Sequence, residues 1–191
     1  MLLASLDYIA DKAGKLIRKY NTRNPYELCE ELGIRIRYKD LGKDIKAYYF
    51  YQSRMRNVVL NTRLSEAILR VLVAHELGHD CLHKKIAMLR GFQEFDLFDM
   101  ARPAEFEANI FAAEVLISDD EILELLNDED KSFFSLAGEL YIPAPLLDFK
   151  FRVLKHKGYR HKGYSIEPPL IANGDFLKNG IPGCYQEDDE C

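Results

Sequence analysis

Residues 64–83 place the strongest constraint on how this chain can fold. Ile68, Leu69, Val71, Leu72, Val73 and Ala74 are apolar on every side of a helix, and His75 and His79 follow them four residues apart. From Leu64 the apolar spacing is helical, with Ser65 or Thr62 as a cap, and it runs through Ala67 and Ile68 towards His83. A helix apolar all round is buried. Two imidazoles inside it need polar partners, because an unpaired buried polar group costs about 1–3 kcal/mol. Four residues is just over one turn, so both rings leave the same face and can converge on one point.

Such a pair suits a metal ion. Zinc accepts histidine nitrogen and keeps one position open for water when only three protein groups bind it. Glu76 stands one residue on, turned by roughly 100° on a helix. It is therefore placed to act on that water instead of ligating the ion. There it can take a proton as water attacks a peptide carbonyl and hand it to the leaving nitrogen. Gly78 weakens the helix but leaves room for another backbone to approach.

A third ligand is expected from the segment at Ala104, which offers Glu105-Phe106-Glu107-Ala108-Asn109. Glu105 and Asn109 are four apart and share a face, so Asn109 could orient a histidine while Glu105 meets the metal. Glu107 is the alternative, partnered at the same spacing by Phe111, and Glu114 reads as a solvated or structural residue. His83 lies four residues after His79 with no glycine between them. That departs from the three-histidine arrangement, in which a glycine breaks the helix and the third histidine follows six residues later. His83 is expected to pack or to support the ligands, and Cys81 to be a buried thiol on another face.

Around this helix the pattern is mixed. Residues 2–20 carry Leu2, Leu3, Leu6, Ile9, Ala10, Ala13, Leu16 and Ile17 at helical spacing. Asn24-Pro25 opens a short helix that Gly33 ends, and Ile34–Tyr38 alternates as a strand. Ala47–Tyr51 and Asn57–Asn61 are β-prone, with Gln52–Arg56 as a loop between them. The Tyr48–Tyr51 strand has two readings: core, or an edge on which an extended substrate pairs through its main chain. Helices are expected near 104–117, 119–127, 132–140 and 144–157. The expected class is α+β with a small antiparallel sheet. One domain is expected over 1–157, including a C-terminal helical hairpin at about 131–157, and a loosely ordered charged tail over 158–191.

The segment Leu136–Leu147, followed by Lys150, Arg152, Lys155 and Lys157, fits a DNA-reading helix-turn-helix or a plain hairpin on the core. The net charge of −5 favours the hairpin, since it offers phosphate little attraction. Cys29, Cys81, Cys184 and Cys191 form no closely spaced pair, so neither a zinc ribbon nor a disulfide framework is indicated. Asp7, Asp11 and Lys12 interrupt the opening apolar residues, and no apolar run approaches the roughly 18–20 residues of a membrane span. A cytoplasmic location without membrane association is expected.

The stretch from His75 to His83, followed by Glu105-x-x-Ala108-Asn109-x-Phe111-Ala112-Ala113-Glu114-x-Leu116, resembles the ImmA/IrrE family of metallo-endopeptidases. Asn24–Cys29 and the strand pair before the motif also fit, so the resemblance covers about residues 20–155. It implies a zincin-like fold of the glutamate-ligand type. It implies zinc on His75, His79 and Glu105, and Glu76 as catalytic base. It also implies a helix-turn-helix repressor as protein substrate, in the setting of a prophage or mobile element. The tail after Gly158 matches nothing in that family. Tyr48, Tyr141, His156 and His161 are candidates for stabilising the oxyanion. A non-catalytic regulator or DNA-binding module on the same scaffold is the competing expectation. Glu76 argues against it, because a purely structural metal site has no use for a base.

Overall fold

Helix α1 (Leu6–Tyr20) begins where Ser5 accepts the Tyr8 amide at 3.2 Å, and it ends at Asn21 in the left-handed region. The cap sets its start four residues later than the apolar spacing alone suggests. A computed structural model describes residues 4–84, 92–94, 97–98, 100, 102–127 and 131–159, with 92–94 described by their backbone path. Helix α2 (Pro25–Glu31) has the expected Asn24 cap, whose Oδ1 accepts the Tyr26 amide at 3.0 Å. Gly33, at φ +69°, turns the chain into strand β1 (Ile34–Lys39).

Strands β2 (Ala47–Gln52) and β3 (Met55–Asn61) form an antiparallel hairpin. Its turn is tighter than the expected Gln52–Arg56 loop: only Ser53 and Arg54 lie between the strands, both at positive φ (51° and 63°). Strand β4 (Phe92–Glu94) pairs antiparallel with Ala47–Tyr49, giving the order β1-β3-β2-β4. The sheet is not purely antiparallel as expected. β1 runs parallel to β3, with Ile34 opposite Arg56 and Lys39 opposite Asn61. The reason lies in the connection from β1 to β2, which leaves a gap one strand wide that β3 fills on its return. Tyr48 is therefore flanked on both sides, by Val59 and by Gln93, and does not lie on an open edge.

Helix α3 (Glu66–Leu82) is buried through nearly every turn, as its composition demands. It is joined to the sheet at Asp80, which accepts the Tyr49 hydroxyl and the Arg56 guanidinium, each at 2.7 Å. Helix α4 (Pro103–Leu116) crosses it closely. A side chain at Gly78 would place its Cβ 3.1 Å from the Ala108 Cα and 3.2 Å from the Ala108 carbonyl oxygen, so only glycine permits this approach.

Helices α5 (Asp119–Leu125), α6 (Phe133–Glu139) and α7 (Ala144–His156) complete the described chain. α6 and α7 form the hairpin. The N-terminal two turns of α7, from Ala144 to Phe151, are buried, so the helix that a groove-reading motif would expose lies in the core. The architecture is mixed α+β. Among the described residues no helix is long and apolar enough to cross a membrane.

Candidate metal centre

The α3–α4 crossing brings the two sequence motifs face to face. His75 and His79 leave α3 on one side and are fully buried, as is Glu76. Glu105, Glu107 and Asn109, from the first two turns of α4, are buried opposite them. His75 Nε2 lies 3.0 Å from His79 Nε2, and these atoms lie 3.1 and 3.2 Å from Glu105 Oε2. The three side chains thus present one ligand atom each within a 4.8 Å span.

Hydrogen bonds behind the rings decide what those atoms offer. Asn109 Oδ1 is 3.0 Å from His75 Nδ1 and can only accept, so Nδ1 carries a proton and Nε2 is the nitrogen left for a metal. Burial pushes His79 down to about 3 against the pull of Glu105, so its ring is neutral near pH 7. Burial raises the Glu105 carboxyl, but His75 and His79 outweigh it and hold Glu105 well below the usual carboxylate range. Imidazole nitrogens and an ionised carboxylate are donors that a divalent cation takes. Tetrahedral ligands at the usual zinc distances lie roughly 3.3 Å apart. The observed 3.0–3.2 Å triangle is close to that spacing, so the residues present fit the ion.

The remaining expected residues fall as follows. Glu107 turns away from the triangle: its Oε2 is 2.8 Å from His83 Nε2, and its Oε1 accepts the Ala4 amide at 2.6 Å. Glu105, not Glu107, shares the cluster with the histidines. His83 closes α3 as its cap residue, with Nδ1 3.1 Å from His79 Nδ1. Glu114 is not solvated. It is buried at the far end of α4, 2.5 Å from Lys150 and 3.0 Å from Lys157. Cys81 is half-buried, its thiol pushed up to about 12 by burial and the neighbouring Asp80. Tyr141 is exposed in the α6–α7 turn at φ +54°, Tyr48 is half-buried on β2, and His156 faces Asp7 across 3.1 Å at the surface. His161 and the tail from 160 onward lie outside the described residues. The sequence reading missed the Asp80–Tyr49–Arg56 anchor, whose only local signal is an aspartate directly after His79 on a buried helix.

Comparison with known proteins places the chain in a family. The profile of the IrrE N-terminal-like domain, a peptidase family, matches residues 29–151 and so spans both halves of the centre. The chain belongs to this family. "Uncharacterized immunity region protein 2" of Bacillus phage phi105 is 36% identical over 115 residues, covering 60% of this chain and 72% of the relative. "Metallopeptidase ImmA" of Bacillus subtilis (strain 168) is 26% identical over 147 residues, covering 74% and 83% respectively. Membership of the ImmA/IrrE metallopeptidases implies a metal ion, and the His75–His79–Glu105 group is compatible with one.

Proposed function

We propose that this protein is a zinc endopeptidase of zincin-like, glutamate-ligand type that cuts a helix-turn-helix repressor inside the cell. The observation that carries the reading is the convergence of His75 Nε2, His79 Nε2 and Glu105 Oε2, with Asn109 holding the His75 proton on the opposite nitrogen. His75, His79 and Glu105 would hold the ion. Zinc there would supply Lewis acidity toward the scissile carbonyl. Glu76, next to His75 on α3, would take the proton of the attacking water at its carboxylate and return it to the leaving amide nitrogen. Its full burial keeps bulk water from competing for that proton. The repressor as substrate is supported by the phage relative, whose name places it in an immunity region.

The test uses wild type and Glu76→Gln, each analysed for zinc and incubated with a purified helix-turn-helix repressor from the same source, with fragments weighed by mass spectrometry. The expected result is about one zinc per chain in both. Cleavage should fall by roughly 10²–10⁴-fold in Glu76→Gln, the contribution of a general base. Equal cleavage by both proteins would remove Glu76 from the chemistry. Zinc bound with no cleavage by wild type would shift the function to a non-catalytic regulator.

A further inference from the structure

His75 and His79 are supported in different ways. His75 Nδ1 meets an amide oxygen directly, whereas His79 Nδ1 meets another imidazole, His83, at 3.1 Å. His83 in turn meets Glu107 at 2.8 Å, and all of these side chains are at most 4% exposed. A carboxylate only accepts, so His83 Nε2 carries a proton and donates it to Glu107. A metal on His79 Nε2 would leave the His79 proton on Nδ1, so in the contact with His83 the His79 Nδ1 is the donor and the His83 Nδ1 the acceptor. His79 Nε2 is the atom that faces Glu105 and His75. The second carboxylate oxygen of Glu107 is fixed by the Ala4 amide, which holds the plane of the acid.

We infer that Glu107 and His83 form a two-step hydrogen-bond relay that sets the tautomer and orientation of His79 and strengthens it as a metal ligand. They are positioning residues: neither touches the ion or the substrate. The inference rests on His75, His79 and Glu105 being the metal site. A ligand whose rear nitrogen donates to an acceptor is both oriented and made more basic, and losing such support typically costs roughly 10–100-fold in metal affinity. The relay also explains why two glutamates two residues apart on α4 are both buried: Glu105 serves the ion and Glu107 serves the histidine behind it.

The experiment measures zinc affinity by chelator competition, together with thermal melting of the metal-free proteins, for wild type and four variants. His83→Leu removes both relay contacts and is expected to weaken zinc by roughly 10–100-fold, whereas Glu107→Gln, which retains an acceptor but loses the charge, should weaken it less. His83→Gln can accept from His79 and donate to Glu107, and is expected to stay within about threefold of wild type. The double variant His83→Leu/Glu107→Gln should bind no more weakly than His83→Leu, because members of one chain are not additive. Glu107→Gln and His83→Gln keep the test decisive if His83→Leu melts early. Wild-type affinity in His83→Leu, a loss in His83→Gln equal to that in His83→Leu, or additive losses in the double variant would each overturn the relay. A wild-type protein that takes up no zinc would overturn the metal site itself, and the relay with it.

Discussion

The two ends of α4 solve the same problem in opposite ways. At its C-terminal end, Glu114 and the nearby Asp119 meet two lysines: Lys150 lies 2.5 Å from each, and Lys157 lies 3.0 and 2.8 Å away. Arg23 donates to the Glu114 and Val115 carbonyls, satisfying acceptors that the helix end leaves over. Two cations there balance two anions. At the N-terminal end, Glu105, Glu107 and the neighbouring Glu76 are buried among imidazoles, of which His79 is neutral. Arg102 Nη1 lies 3.7 Å from Glu105 Oε1, with its side chain half exposed. One cluster is closed by its own side chains. The other sets an ionised Glu105 beside a neutral His79, which suits an added divalent cation. A buried polar cluster is thus a candidate site when its charges do not balance, and a structural joint when they do.

The sharpest way to break this comparison is to remove a ligand from the open cluster. Zinc should disappear from His79→Ala and Glu105→Gln, with affinity losses beyond the roughly 10–100-fold of supporting contacts. Elemental analysis checks this. Retained zinc in Glu105→Gln would refute the assignment. In the closed cluster, Lys150→Met leaves two carboxylates facing one lysine. It should cost about 3–5 kcal/mol of stability in denaturant melts while zinc stoichiometry stays at the wild-type value. A loss of zinc without a loss of stability would show that the two ends are not independent.

Gly78→Ala comes next. Its Cβ would lie 3.1–3.2 Å from Ala108 backbone atoms, so α3 and α4 must separate, at about 1–3 kcal/mol. Because the same crossing sets the ligand spacing, zinc affinity should fall as well, unlike in the Lys150 variant.

The smallest effect concerns pH. Burial raises the Asp119 carboxyl, but Lys150 and Lys157 outweigh it and hold it below its ordinary value. A depressed carboxylate contributes stability above its unfolded pKa of about 3.9, and this is lost as pH falls through the folded value. Lys157, raised by Asp119 and Glu114 against its burial, contributes below its unfolded value of about 10.4 and loses that contribution as pH rises. Asp119→Asn should therefore flatten the acid side of the stability curve below about pH 4, by less than about 1 kcal/mol because the group is partly solvated. An unchanged acid limb would show that Asp119 is not coupled to the lysines.

Much of the centre could be read from sequence because its logic is local. His75 and His79 share a face by spacing alone, and Glu105 with Asn109 repeats that spacing on a second helix. What could not be read depends on how distant elements meet. The alternation of Ile34–Tyr38 declares a strand but not its neighbour, so the parallel pairing with β3 was not visible. Ser53 and Arg54 lack the Asn-Gly signal of a tight turn, and so the hairpin seemed longer than it is. The role of Glu107 depends on how α3 and α4 cross, and that is set by the contact of Gly78 with Ala108.

The bond from the Ala4 amide to Glu107 spans 103 residues, and this has a consequence for biosynthesis. Along the chain the Ala4 amide precedes the histidine helix, which is finished at Leu82, and the carboxylates on α4 come afterwards. A ribosome-bound chain that stops short of α4 has both histidines but neither Glu105 nor Glu107, and its N-terminal segment has no carboxylate to grip. The His75–His79–Glu105 cluster is therefore complete only once α4 has been translated. On the proposed reading, a peptidase assembled this way would stay incomplete beside the polypeptides emerging around it.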